Sequence, residues 1–260
     1  IPAMGAEGAA IATSIGRGIG VLYQLWMLFG KQSIIKLKKA YLAWDWELIK
    51  RLLDIAWSGA LQFIIASASW IFLMRIISEF GNEVTAGYTF AIRILVFTIL
   101  PSWGLSNAAA TLVGQNLGAK KPRRAELSVW LTARYNMYFL LTVSIIYFVF
   151  AKSLIGIFTS DPLVLKAGVD CLRIISVGYV FFAYGMVISQ AFNGAGDTKT
   201  PTWMNLFCFW MLEIPLAYLL ALHWNIGPEG VYIAIALSES VLALIAILIF
   251  RKGKWKLKEV

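Results

Sequence analysis

The sequence contains few of the residues with which enzymes and metalloproteins do their chemistry. Its 260 residues include one histidine, His223, and two cysteines, Cys171 and Cys208, which lie in apolar stretches without metal-ligand spacing. No catalytic triad, metal cluster or phosphate loop can be assembled, and the glycines at 16, 18 and 20 lack the spacing of a dinucleotide motif. The sequence therefore predicts a protein that is not an enzyme, has no organic cofactor and buries its cysteines as small hydrophobes.

Charged residues are also scarce, at 14% of the chain against roughly 25% in typical soluble domains. Hydrophobic residues make up 60%, and the mean hydropathy is +0.74. Apolar runs of the length that crosses a bilayer core occur seven times. They cover 7–29, 53–77, 84–113, 125–150, 168–192, 201–222 and 229–250. The prediction is an all-α integral membrane protein with seven transmembrane helices.

The basic residues are distributed unevenly between the two sets of loops that alternating helices would create. One set comprises 31–52, 114–124, 193–200 and the tail 251–260, and it holds 16 of the 23 Lys and Arg. The opposite set holds only Lys152 and Lys166. Positive residues favour the cytoplasmic side, so the first set is predicted to be cytoplasmic in a multi-pass protein of the cell membrane. The net charge of +9 is thereby explained without a nucleic-acid partner.

The last apolar run resembles the first. Gly5, Glu7, Gly8, Ile11, Ala12 and Leu22 recur 222 positions later as Gly227, Glu229, Gly230, Ile233, Ala234 and Leu244. Small residues four apart share a helix face and allow close backbone approach in a membrane. The repeat predicts that 1–30 is the last helix of a preceding lobe of a longer protein. It makes 53–260 a six-helix lobe with a basic tail, and 31–52 a basic linker that is either a hinge or an ordinary interfacial connector.

Two carboxyl groups are predicted at membrane depth, where ionisable groups are costly and often functional. Glu213 lies beside Pro215, whose missing N–H invites a helix distortion. Glu239 lies in the last run, at the repeat position of Arg17. Each glutamate is a candidate for coupling to H⁺ or a cation, and a structural hydrogen bond or ion pair is the alternative.

Polar and aromatic residues inside the runs could line a cavity for a small organic, amphipathic ligand. Packing between helices or against the lipid bilayer is the alternative for most of them. The candidates for lining such a cavity are Gln62, Trp70, Arg93, Asn136, Phe182, Tyr184, Gln190 and Asn205.

Two predicted cytoplasmic loops carry a family resemblance. The segments Gly114-Gln-Asn-Leu-Gly-Ala-Lys-Lys-Pro-Arg-Arg-Ala125 and Gln190-Ala-Phe-Asn-Gly-Ala-Gly-Asp-Thr-Lys-Thr-Pro201 resemble the loops after the eighth and tenth helices of multidrug and toxic compound extrusion (MATE) transporters. The resemblance implies twelve helices in two six-helix lobes. This chain would supply helix six and the C-terminal lobe, and the N-terminal lobe would be its partner within the same protein.

The resemblance also implies a function and exposes departures from the family pattern. Relatives of this kind export organic, often cationic amphiphiles by alternating access, driven by Na⁺ or H⁺ entry. Residues 55–77 lack the carboxylate of some branches, and Phe182 stands where another acidic residue is expected. The resemblance therefore favours an ion site in the missing lobe, with Glu213 and Glu239 as second candidates. A lipid-linked saccharide flippase of the same superfamily is the alternative function, and arginines such as Arg93 would suit it.

Overall fold

The computed structural model describes residues 5–30 and 45–257, and all regular elements within these ranges are helical. The all-α class predicted from composition is confirmed. The helices are α1 (Gly5–Phe29), α2 (Trp46–Ser78), α3 (Asn82–Gly118), α4 (Pro122–Gly156), α5 (Pro162–Val177), α6 (Tyr179–Gly194), α7 (Lys199–His223) and α8 (Pro228–Arg251), followed by a 3₁₀ turn at Lys254–Leu257.

The chain divides into two compact units, Ile1–Arg51 and Leu52–Val260. Within the first unit, α1 is a continuous helix of 25 residues with Glu7 in its first turn, where an acidic side chain suits the helix dipole. Of the predicted linker, residues 31–44 lie outside the described residues. Its last residues are helical, because α2 begins at Trp46 and the Asp45 carboxylate accepts hydrogen bonds from the N–H groups of Glu47 and Leu48 at 3.0 and 3.1 Å.

Five of the described helices, namely α2, α3, α4, α7 and α8, are long and apolar enough to cross a membrane. The pair α5 and α6 makes a sixth span if the two are counted together. The predicted number of seven is therefore approximate, since α1 is not among them. Most helices extend beyond the predicted apolar runs, because their polar end turns continue past the hydrophobic segment.

The predicted single helix over 168–192 is wrong, because the chain bends by 58° between α5 and α6. The break is at Gly178, whose N–H bonds to the carbonyl of Ile175, three residues back, as in a tightened turn. Glycine weakens a helix at this point, and Ala236 of α8 packs within 3.4 Å of where its Cβ would be. α5 begins at Pro162, six residues before the predicted run, because the Asp161 side chain caps it through the N–H groups of Leu163 and Val164.

Small residues allow the helices of the second unit to approach one another closely. A Cβ on Gly194 of α6 would lie 2.2 Å from the carbonyl oxygen of Ala110 in α3. A Cβ on Gly230 of α8 would lie 2.7 Å from the backbone of Leu220 and Ala221 in α7, so the close approach predicted for the Gly230 face is present. Cys171 and Cys208 are both buried, as predicted, and form no disulfide.

Tyrosines fill much of the interior between these close approaches. The rings of Tyr88 and Tyr232 stack with their centroids 6.1 Å apart. The Tyr147 hydroxyl donates to the carbonyl of Ile94 and to the Thr98 hydroxyl, both at 2.9 Å. This core joins α3, α4, α5, α6 and α8 to the ends of α2 and α7 that carry Leu73 and Leu220. The remaining length of α2 and α7 meets through polar groups.

Candidate coupling and substrate site

One face of α2 carries a row of hydrogen-bonding groups that meet α7, the loop before it and the end of α6. The groups belong to residues 54, 58, 62, 65 and 69, which recur every three or four positions and therefore share a helix face. We call this row and its partners the polar seam. At one end, the Asp54 carboxylate lies 3.8 Å from the Lys199 ammonium group. Both side chains are largely exposed, so this ion pair contributes little stability.

The middle of the polar seam is an amide network. Gln62 Nε2 donates to Asn193 Oδ1 at 3.2 Å and to the Thr198 carbonyl at 3.1 Å. Asn193 Nδ2 in turn donates to Gln190 Oε1 at 3.1 Å. The structure thus joins two predicted cavity residues, Gln62 and Gln190, through Asn193. Sequence reasoning did not select Asn193, although it lies within the loop segment that carries the family resemblance.

Hydroxyl groups anchor the same loop to α2. The Ser58 and Thr198 hydroxyls form a short hydrogen bond. The Thr202 hydroxyl donates to the Ser58 carbonyl at 3.2 Å and to the Thr198 carbonyl at 2.8 Å. This part of the seam therefore fixes the start of α7 against α2 through the hydrogen bonds of Thr198 and Thr202 to Ser58.

At the other end of the polar seam lies Glu213. Its carboxylate accepts a hydrogen bond from the Ser69 hydroxyl at 3.0 Å, and the two residues are 5% and 2% exposed. Nearby, Trp210 Nε1 donates to the Ile65 carbonyl at 3.0 Å. A carboxylate in such a place is costly unless a proton or a cation neutralises it.

The helix is irregular where it presents Glu213. The segment Leu206–Glu213 is π-helical, and the N–H of Ile214 bonds to the carbonyl of Phe209, five residues back. The distortion predicted from Pro215 therefore takes the form of wide turns on either side of a short α segment, Ile214–Tyr218. Wide turns of this kind are frequent at functional sites.

Glu239, the second candidate for coupling, lies half-buried in α8. No hydrogen bond or ion pair joins it to another part of 45–257. Across the described residues, no three His, Cys, Asp or Glu side chains converge as metal ligands would.

A groove of about 370 Å³ runs between α2 and α3. The predicted residues Trp70 and Arg93 meet in this groove, and its other walls are Ile71, Met74, Tyr88, Thr89 and Ile92. The guanidinium of Arg93 is exposed and is the one charged group in the lining. Apolar and aromatic walls with a single charge suit an amphipathic small molecule.

The helices that carry both features match a family model. The model, MatE, covers residues 59–219, which include the polar seam from Gln62 to Glu213 and the whole groove. The chain belongs to the MatE family.

Curated members of the MatE family align along the chain. A probable multidrug resistance protein NorM of Thermotoga maritima is 27% identical over 259 residues, covering 100% of this chain and 56% of the relative. The multidrug resistance protein MdtK of Yersinia pseudotuberculosis is 23% identical, covering 96% of this chain and 56% of that protein. The chain therefore spans about half the length of the curated relatives that it matches.

Solved MatE structures share the fold. An outward-facing multidrug resistance MATE transporter of the MOP superfamily superposes with a TM-score of 0.88 at 23% identity, over 97% of this chain and 57% of that one. A MOP superfamily transporter from Pyrococcus furiosus, described as having a binding pocket of reverse polarity, superposes with a TM-score of 0.89 at 23% identity and the same coverage. These likenesses show that the chain shares the helical fold of those structures. The family match and the apolar helices identify it as a multi-pass membrane protein.

Four predicted cavity residues lie in neither the groove nor the polar seam of this MatE chain. Asn136 is fully buried, and its Nδ2 donates to the Ala183 carbonyl at 3.2 Å, which ties α4 to α6. Phe182 is 6% exposed in the tyrosine-rich core. Tyr184 and Asn205 are half-buried, and Tyr184 packs in the core around Phe250. Their assignment to a substrate cavity stays a prediction.

Proposed function

We propose that the chain is the larger part of an ion-coupled antiporter that exports amphipathic, often cationic organic compounds by alternating access. The family and the names of its multidrug resistance relatives support this function. A missing N-terminal lobe of the same protein would complete the transporter. The basic loops and the C-terminal tail would face the cytoplasm, as their excess of Lys and Arg favours.

The observation that carries the coupling proposal is the buried hydrogen bond between Ser69 and Glu213. A Glu213 carboxyl that gains and loses H⁺ or Na⁺ would change its charge at the contact between α2 and α7. Because the charge is buried, its neutralisation changes the stability of that contact more than a surface charge would. Ion binding would thereby favour one arrangement of α2 over another. Because Trp70, which follows Ser69 in α2, lines the groove, a change in the arrangement of α2 would also change the groove.

A flippase for lipid-linked saccharides is the second candidate, and Arg93 favours it. An arginine in an otherwise apolar groove is suited to a phosphate group attached to a lipid tail. Export of cationic compounds would instead need the Arg93 charge to be masked or distant from the ligand.

The full-length transporter, expressed in a host that lacks its own pumps, distinguishes the two candidates. We expect lower accumulation of cationic dyes, and we expect that loss of the ion gradient abolishes the difference. Replacing a Na⁺ gradient with a H⁺ gradient in proteoliposomes identifies the coupling ion. Unchanged dye accumulation together with movement of lipid-linked sugar between leaflets would establish the flippase instead.

The variant Glu213→Gln tests the coupling site. Glutamine keeps the size of the side chain and an oxygen that can accept from Ser69, but it neither titrates nor carries charge. We expect normal amounts of folded transporter and gradient-driven efflux close to background. Glu83→Gln, which changes an exposed carboxylate in the first turn of α3, should transport normally. Full gradient-dependent efflux by Glu213→Gln would reduce Glu213 to a packing role.

A further inference from the structure

Seven exposed cations of the second unit come from two segments that are far apart in the sequence. Four belong to the turn between α3 and α4 and to the first turn of α4. Three belong to the end of α8 and the turn that follows it. We call them the basic patch. Its members are Lys120, Lys121, Arg123, Arg124, Arg251, Lys252 and Lys254.

Aromatic contacts hold the two segments of the basic patch together. The buried ring of Trp255 stacks on Phe250 with the centroids 4.6 Å apart, and Trp255 Nε1 donates to the Phe250 carbonyl at 3.0 Å. Phe250 meets Trp130 of α4 edge-on at 5.5 Å. The Arg251 guanidinium lies 5.8 Å from the centre of the same Trp130 ring. The end of α8 is therefore packed against α4, near the segment that carries the other four cations.

The positive charge of the basic patch is not balanced by nearby carboxylates. The first turn of α4 contains no acidic residue. Glu126, one turn further, is already paired with Lys256. None of the seven cations forms an ion pair in the part of the chain that the structure describes. Like charges brought together in this way repel one another unless an external anion lies between them.

The position of the basic patch identifies the anion. Its cations flank the ends of three spanning helices, α3, α4 and α8, which places them where the hydrocarbon core gives way to headgroups. Arginine and lysine there bind phosphate through charge-assisted hydrogen bonds. We propose that the basic patch is a binding site for the phosphate headgroups of anionic phospholipids, with the contact between Phe250 and Trp130 joining its two halves.

The leaflet to which this lipid belongs follows from the proposed cytoplasmic orientation, but binding itself does not depend on transport. The test therefore uses the purified full-length transporter in detergent, without substrate or gradient. Phosphatidylglycerol and phosphatidylcholine with the same acyl chains are titrated, and bound lipid is counted by native mass spectrometry. We expect tighter binding of phosphatidylglycerol and a loss of that preference at high salt, as screening requires.

The first variant removes charge from one half of the patch, through Arg251→Gln, Lys252→Gln and Lys254→Gln. Since each cation near an anionic surface contributes roughly a five-fold gain in affinity, phosphatidylglycerol binding should weaken by about ten-fold or more. The matched control changes two exposed lysines outside the patch, Lys152→Gln and Lys166→Gln, and should bind normally. Unchanged binding by the triple variant would overturn the proposal.

The second variant, Trp255→Ala, keeps every cation and releases the 3₁₀ turn that carries Lys254 from its stacking on Phe250. We expect weaker phosphatidylglycerol binding with unchanged phosphatidylcholine binding, whereas Leu257→Ala, at a side chain 86% exposed, should have no effect. A melting temperature measured for each variant shows whether the fold is intact.

Equal binding of both lipids, or displacement of phosphatidylglycerol by millimolar inorganic phosphate, would contradict a lipid headgroup site. A transporter that exports no dye can still pass this test, so the two proposals fail separately.

Discussion

The polar seam between α2 and α7 and the interior of the bundle are held by opposite kinds of contact. In the seam, side chains such as Gln62, Ser69 and Trp210 reach across by hydrogen bonds. In the interior, glycines such as Gly194 bring backbones into contact with no side chain between them.

The two kinds of contact respond differently to displacement. Backbone contact through small residues has one well-packed geometry, because a protein interior tolerates neither gaps nor overlap. Hydrogen-bonding groups at a helix interface can exchange partners at modest cost, since such bonds in membranes contribute about 0.6 kcal/mol on average. The comparison teaches that the polar stretch of α2 between Ser58 and Ser69 can shift more readily than the crossing of α3 and α6. The end of α2 that carries Leu73 and Ile77 is fastened in the core.

The largest effect should come from adding one methyl group to the fixed part, through Gly194→Ala. The new Cβ would overlap the backbone of Ala110, which cannot move without separating α3 from α6. We expect a loss of about 3 kcal/mol or more in the free energy of unfolding, at the upper end for overpacking. Little folded transporter should be recovered, as measured by fluorescence-detected gel filtration.

The matched control for this change is Gly104→Ala, in α3, where no atom lies within 4 Å of the new Cβ. This variant should be as stable as the parent protein or slightly more so, because alanine favours helix. If Gly194→Ala folds as well as Gly104→Ala, the distinction between a fixed interior and an adjustable seam does not hold.

An intermediate effect is expected from Gln62→Ala in the polar seam. It removes the hydrogen bonds to Asn193 and Thr198 and should lower stability by about 1–2 kcal/mol. The protein should still fold, with a lower melting temperature and faster hydrogen exchange in 195–202. Gln115→Ala, an exposed amide at the end of α3, serves as the control. An unchanged melting temperature and exchange rate would show that this network does not hold α2.

The smallest effect is expected from Trp210→Phe. Phenylalanine keeps an aromatic ring against Phe72, which Trp210 meets at 6.0 Å, but removes the donor to the Ile65 carbonyl. The loss should be about 0.5–1 kcal/mol, measured as a small shift in melting temperature. A shift as large as that of Gln62→Ala would mean that ring packing also stabilises the seam.

Much of the fold could be predicted from the sequence because its causes are local. The spans follow from apolar runs, and the start of α5 follows from Asp161 and Pro162. The break at Gly178 was missed because the sequence is apolar on both sides, so the hydrophobic pattern continues through it. The glycine itself was the available signal, and its effect depends on Ala236 of another helix.

The candidate site was less predictable because its contacts join distant segments. Glu213 could be selected as a carboxyl group at membrane depth, but its partner Ser69 lies 144 residues away. Hydroxyl groups are common in membrane helices, and nothing in the sequence near Ser69 distinguishes it. Trp70 and Arg93 were both selected, yet their meeting in one groove depends on how α2 packs on α3.

The close crossing of α3 and α6 at Gly194 has a further consequence for the loop that follows it. Asn193 immediately precedes this crossing, and Thr198 lies four residues after it. The loop thus begins where the backbones of α3 and α6 are in contact. This contact holds the Asn193 side chain and the Thr198 carbonyl, to which Gln62 bonds, in fixed positions. Ser58 and Gln62, one turn apart on α2, both bond to these residues, so a displacement of α2 along its axis breaks both contacts together.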